Sequence, residues 1–138
     1  MQTILRILER AGGYRPSLYL KIENPPYMAL VIEAIGDGPL GLPALSVAHY
    51  GEMNGDLMRD PEMCFELPQP VGGKLSLDPY YWRNDYVGVE QWSRSTRRGR
   101  YAAHLGLHSQ HETFAAEWDE SLAAQRFFDA FTDKSIRG

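Results

Sequence analysis

The sequence predicts an α+β domain: an antiparallel sheet of about five strands flanked by an N-terminal helix and a long C-terminal amphipathic helix. Three observations carry that expectation. Apolar residues recur at helical spacing near the two ends of the chain. They alternate at strand period in between. The connections separating the alternating stretches are too short to hold crossover helices, which favours antiparallel neighbours.

Thr3 is placed to cap a first helix in which Ile4, Ile7, Leu8 and Ala11 share one face, and Gly12-Gly13 ends it. From Tyr19 the period changes to two. YLKIE alternates Tyr19, Lys21 and Glu23 against Leu20 and Ile22, and Asn24-Pro25-Pro26 separates it from a second strand, ALVIEAI. The Gly- and Pro-dense stretch GDGPLGLP then leads into a third strand, LSVAHY. A fourth, MCFEL, points Met63, Phe65 and Leu67 inward and Cys64 and Glu66 outward, and DYVGVEQW, residues 85–92, is the fifth candidate. At the C-terminal end Ser109 and Glu112 read as a capping box, followed by an apolar stripe through Phe114, Trp118 and Leu122 to about Phe131. Residues 1–131 are expected to form the domain and 132–138 to fray.

With 138 residues the chain matches one domain that needs no covalent staple, and its single cysteine, Cys64, cannot form an internal disulfide. Charged Arg6, Glu9 and Arg10 interrupt what an export signal would need to be continuous, and no apolar run is long enough to span a bilayer. A cytoplasmic protein with no membrane association and no cofactor is expected. Net charge is −4 but unevenly placed. Residues 1–90 hold 7 basic and 12 acidic side chains, whereas residues 91–104 hold 4 basic and none acidic. Such a segment marks either an acidic partner or a solvated loop.

HYGEMNGDLMRDPEMCFEL, residues 49–67, is the first candidate site. Asn54-Gly55 is a hairpin turn signal, and in the structural reading Asp56 and Asp60 accept hydrogen bonds from nearby backbone amides. In the functional reading His49, Glu52, Asp56 and Asp60, with Glu62, converge as an acid-base or cation site of a metal-dependent hydrolase or nuclease. Their spacing matches no established metal or nucleotide motif, so no metal is assigned. His104, His108 and His111 stand at single-turn spacings, yet Gly106 and the Ser109 cap place the first two ahead of the helix, as capping-region residues.

The basic run is the second candidate. Arg94, Arg97, Arg98 and Arg100 stand between Trp92 and Tyr101, an interleaving of arginines and aromatics that suits phosphates and bases as well as it suits an exposed loop. Tyr80, Tyr81 and Trp82 cannot all face one side of a strand, so at least one reaches the surface.

Taken together, YLKIENPPYMALVIEAIG, GLPALSVAHYGEMNGDLMRDPEMCFEL and NDYVGVEQ resemble a small uncharacterised domain family of bacterial mobile elements, found in plasmids, integrative elements and phages, often near antirestriction or conjugation genes. The resemblance covers roughly residues 1–92. It implies a non-enzymatic accessory protein whose partner is a host defence complex, element DNA or an element-encoded protein, with inhibition of a nucleic-acid-directed host defence as one form of that role. It assigns no catalytic residue. The metal-dependent hydrolase and a nucleic-acid-binding module acting through the arginine run stand as the alternatives.

Overall fold

Four stretches carry apolar side chains at every second position, and in the computed structural model, which describes residues 1–70 and 72–138, they line up strand against strand. The strands are β1 (Tyr19–Asn24), β2 (Tyr27–Asp37), β3 (Pro43–Met53), β4 (Asp56–Glu66), β5 (Asp78–Asn84) and β6 (Val89–Trp92). They form one antiparallel sheet in sequence order. Register makes the reason visible. Leu20, Ile32, Val47, Met63 and Trp82 are direct partners in a single row across five strands, and Ile22, Leu30 and His49 make the next. A one-residue slip would turn every one of these side chains out of the core, so the pattern fixes the pairing.

Among the described residues, the α-helices α1 (Gln2–Arg10), α2 (Leu105–Ala124) and α3 (Phe127–Ala130) cover that apolar face. Ile4 and Ile7 from α1, Leu122 from α2, Phe127 from α3 and Phe131 beyond it join Leu20, Ile32, Leu45 and Phe65 in one cluster. Each fully buried side chain of this size contributes about 1.5–3 kcal/mol relative to exposure. Residues Arg94–Arg97 (β7) and Arg100–Ala103 (β8) form a separate two-stranded hairpin between the sheet and α2.

The α+β class, the antiparallel sheet and the two flanking helices stand as read from the sequence, and several local expectations do not. Thr3 does not cap α1. Asp119, from α2, accepts hydrogen bonds from the Gln2 and Thr3 amides at 3.1 and 2.9 Å, so the orphan donors of the first turn are met from the other end of the chain. Residues 85–88 of the expected fifth strand form the turn between β5 and β6, leaving Val89–Trp92 as the strand. Cys64 and Glu66 face away from the core row of Met63 and Phe65 as expected, yet both are buried. The Ser109–Glu112 pair lies inside α2, which starts four residues earlier with His104 as its N-cap; His104 Nδ1 accepts from the Leu107 amide at 3.0 Å.

Residues 132–138, expected to fray, are tied along β1. Ile136 bridges to Leu20, the Arg137 amide donates to the Tyr19 carbonyl at 2.8 Å, and Tyr19 donates to the Gly138 carbonyl at 3.3 Å. That contact occupies the unpaired edge of the sheet.

Candidate functional site

The segment around the basic run folds because of its turn. Arg98 and Gly99 have φ of 52° and 75°, the left-handed pair required by a two-residue hairpin of the type that matches strand twist. Pairing then follows as Arg94 with Ala103, Ser95 with Ala102, Thr96 with Tyr101, and Arg97 with Arg100. Arg97, Arg98 and Arg100 therefore crowd the tip. All three are exposed, and among the described residues none forms an ion pair.

Arg94 does not join them. It is 4% exposed and roots the hairpin in the sheet: Nη1 donates to Glu66 Oε1 at 2.6 Å, Nη2 to the Asp78 carbonyl at 3.2 Å, and Nε to the Pro79 carbonyl at 3.3 Å. Burial opposes the charge of the guanidinium, but bonds to Glu66 and Tyr101 and the nearby Asp78 carboxylate outweigh it and hold Arg94 protonated. Glu66 is itself 1% exposed, and its other oxygen accepts from the Leu40 and Leu42 amides at 2.8 and 3.3 Å. Loop 38–42 comes so close that a Cβ at Gly38 would overlap the Glu66 side chain. Thr96 Oγ1 adds a bond to the Pro39 carbonyl. A buried ion pair thus locks loop, sheet and hairpin together.

The first turns of α2 reach the same region. His108 Nε2 donates to Asp78 Oδ1 at 2.6 Å, and His111 Nδ1 lies 2.8 Å from Ser93 Oγ while its Nε2 donates to Gln91 Oε1 at 3.0 Å. His111 is 2% exposed, and burial, then the neighbouring His108, hold its imidazole below the usual range. Glu66, Asp78 and Ser93 were not among the candidate site residues of the sequence, and His111 stood there only as one of three histidines at single-turn spacing. Their partners lie 15 or more residues away, and no local pattern announces them.

The carboxylates of the 49–62 stretch do not meet His49. His49 sits in the core row between Trp118 and Phe127, with ring centroids 5.5 and 5.4 Å away, and its Nδ1 donates to the Ala29 carbonyl at 3.3 Å. Glu52 and Asp56 are exposed beside the Asn54-Gly55 turn. Neither aspartate lies in a connection: Asp56 opens β4, and Asp60, further along it, accepts from Asn84 Nδ2 at 2.6 Å rather than from a backbone amide. Among the described residues no group of three or more His, Cys, Asp or Glu side chains is arranged to hold a metal ion.

On the sheet face away from the helices, Glu33, Ser46, Cys64, Tyr81 and Trp92 form one direct row. Ser46 Oγ donates to Glu62 at 2.5 Å. Burial, then the Glu62 charge, raises the Cys64 thiol far above its ordinary range, which disfavours the thiolate.

A match to the model of a domain of unknown function (DUF6908) spans residues 2–128 of the chain. The chain belongs to that family. No curated protein and no solved structure matches it. In this DUF6908 chain no helix among the described residues is long and apolar enough to cross a membrane.

His49 gives a pH test of these placements. Burial depresses its imidazole against the opposing pull of the Ala29 and Met28 backbone bonds and of Asp60. The folded state therefore favours neutral His49, and the unfolded chain takes up the proton first as pH falls below about 6.5. Stability is complete above that pH and declines as pH drops toward the depressed folded value. The urea midpoint of the parent protein is expected to fall between pH 7.5 and 5 more steeply than that of His49→Phe. Parallel profiles would contradict the core placement of His49.

Proposed function

We propose that the protein is a non-enzymatic binding module whose working surface is the tip of the β7–β8 hairpin and whose ligand is nucleic acid. One observation carries this reading: Arg97, Arg98 and Arg100 project together, exposed and free of carboxylate partners among the described residues, from a hairpin rooted by a buried ion pair. Rigid presentation lowers the entropy lost when arginines engage phosphates, and guanidinium groups bind phosphate in a bidentate fork. The acidic remainder of the chain repels a polyanion, so contact is confined to the tip. The hydrolase alternative lacks comparable support, because His49 and the 52–60 carboxylates face different surroundings. The mobile-element setting, with element DNA or a host defence complex as partner, is supported by the sequence blocks alone.

Anisotropy of a labelled oligonucleotide titrated across a range of salt tests the proposal. Neutralising three phosphates gives a log-log slope of roughly −2 to −2.7, depending on strandedness. Arg97→Ala and Arg98→Ala should each weaken binding and reduce the slope by about 1 while leaving the melting transition in place. Absence of binding at low salt, by folded protein, would refute the module's ligand.

A further inference from the structure

Resting on that reading, we infer that the nucleic acid is single-stranded, and that one unpaired base stacks against Trp92 in a cleft at the foot of the hairpin. The cleft has a volume of about 250 Å³, and its lining includes Asp37, Pro39, Tyr80, Trp92, Arg94 and Thr96. Trp92 is 53% exposed, an unusual position for the largest aromatic side chain. Its indole is nonetheless held in place. Tyr81 packs edge-on against it at 5.0 Å, and the Tyr81 hydroxyl is fixed by donation to Glu90 at 2.5 Å. An indole supported from one side and open on the other is a stacking platform.

The spacing fits a strand that runs from cleft to tip. Arg98 is three residue steps beyond Ser95, about 10 Å of extended chain. Along a stacked strand each phosphate advances about 3.4 Å along the helix axis, and further when the strand is unstacked, so a base in the cleft places phosphates within about three nucleotides at the tip arginines. Asp37, which lines the cleft, is exposed and acidic, which turns phosphate away and leaves a hydrogen-bond acceptor for a base donor.

Duplex fits this arrangement poorly. A two-stranded ribbon reads the major groove by entering it. Here Thr96 is bonded to Pro39, and Arg94, on the same face of the hairpin, is buried against the sheet, so the inner face is taken up except for the small cleft beside Trp92. A base of a duplex could reach Trp92 only after unpairing and unstacking.

The test compares three labelled probes of about 12 nucleotides at one salt concentration: a thymidine strand, a blunt duplex, and a strand of abasic sites carrying the same phosphates. The thymidine strand is expected to bind about tenfold or more tighter than either competitor. Trp92→Ala should bring the thymidine strand down to the abasic level without changing the salt slope, whereas Arg97→Ala should lower the slope for every probe. Trp92→Phe should keep part of the preference. Should Trp92→Ala fail to fold, the abasic and duplex comparisons with the parent protein decide alone. Equal affinity for all three probes overturns the single-strand inference and leaves phosphate binding by the hairpin standing; no binding to any probe overturns both.

Discussion

Glu66→Ala is expected to remove about 3–5 kcal/mol of stability, the cost of leaving a buried charge without its partner. The side chain is 1% exposed and serves three donors at once: the Arg94 guanidinium and the Leu40 and Leu42 amides. Removing it strands all three, although the half-buried Asp78, 3.3 Å from Arg94 Nη2, limits the loss. Arg94→Ala should cost a similar amount, because Glu66 then keeps its charge with only two amides to satisfy it. The double replacement Glu66→Gln with Arg94→Met should cost less than either single change, since an amide oxygen still accepts from the loop and no net charge stays buried. Urea unfolding measures all four proteins. Additive losses, or single losses below about 1 kcal/mol, would show that the pair is solvated and that the hairpin is not rooted by it. A softened root also predicts faster hydrogen exchange across β7 and β8 in Glu66→Ala than in the parent.

How far the sequence could be read depends on where each side chain's partner lies. Strands β1 to β4 were legible because Leu20 and Ile22, Leu30 and Ile32, Leu45 and Val47, and Met63 and Phe65 keep strict alternation, and Asn54-Gly55 marks the hairpin that joins β3 to β4. The same alternation in LSVAHY already places His49 with Leu45 and Val47 on the core side. Strand β5 was hidden because DPYYWRN carries large aromatics on both faces: Trp82 joins the apolar row, while its neighbour Tyr81 stands on the opposite face beside Cys64. The β7–β8 hairpin lacks any apolar alternation, since it is anchored through Arg94 and Thr96 rather than through a hydrophobic face. Its one local signal is Arg98-Gly99, a weaker turn pair than Asn-Gly because arginine only reluctantly takes a positive φ. Capping of α1 by Asp119 and burial of Arg94 on Glu66 are contacts between distant parts of the chain. A run of four arginines reads as one charged segment until the fold removes one of them to the interior.

Trp118→Ala should be comparably damaging, costing about 3–5 kcal/mol as a large aromatic truncation in a packed site. Along α2 the buried residues are His111, Ala115, Trp118 and Leu122, so Trp118 stands in the middle of the stripe that docks the helix on the sheet. It is 6% exposed, tilts against His49 at 5.5 Å and meets Phe114 at 6.3 Å. Its indole Nε1 is buried without a hydrogen-bond partner among the described residues. That detail separates two ways in which the residue could matter. If packing area is what counts, Trp118→Phe keeps most of the ring contact, deletes a donor that was making no bond, and should cost well under the alanine variant. His49→Ala combined with Trp118→Ala should then cost less than the sum of the two, by roughly 0.5–1.5 kcal/mol for the shared ring contact. Denaturant melts of the two singles, the double and Trp118→Phe settle the point: a phenylalanine variant as unstable as the alanine one, with strictly additive singles, would mean that α2 is held to the sheet by something other than this aromatic layer.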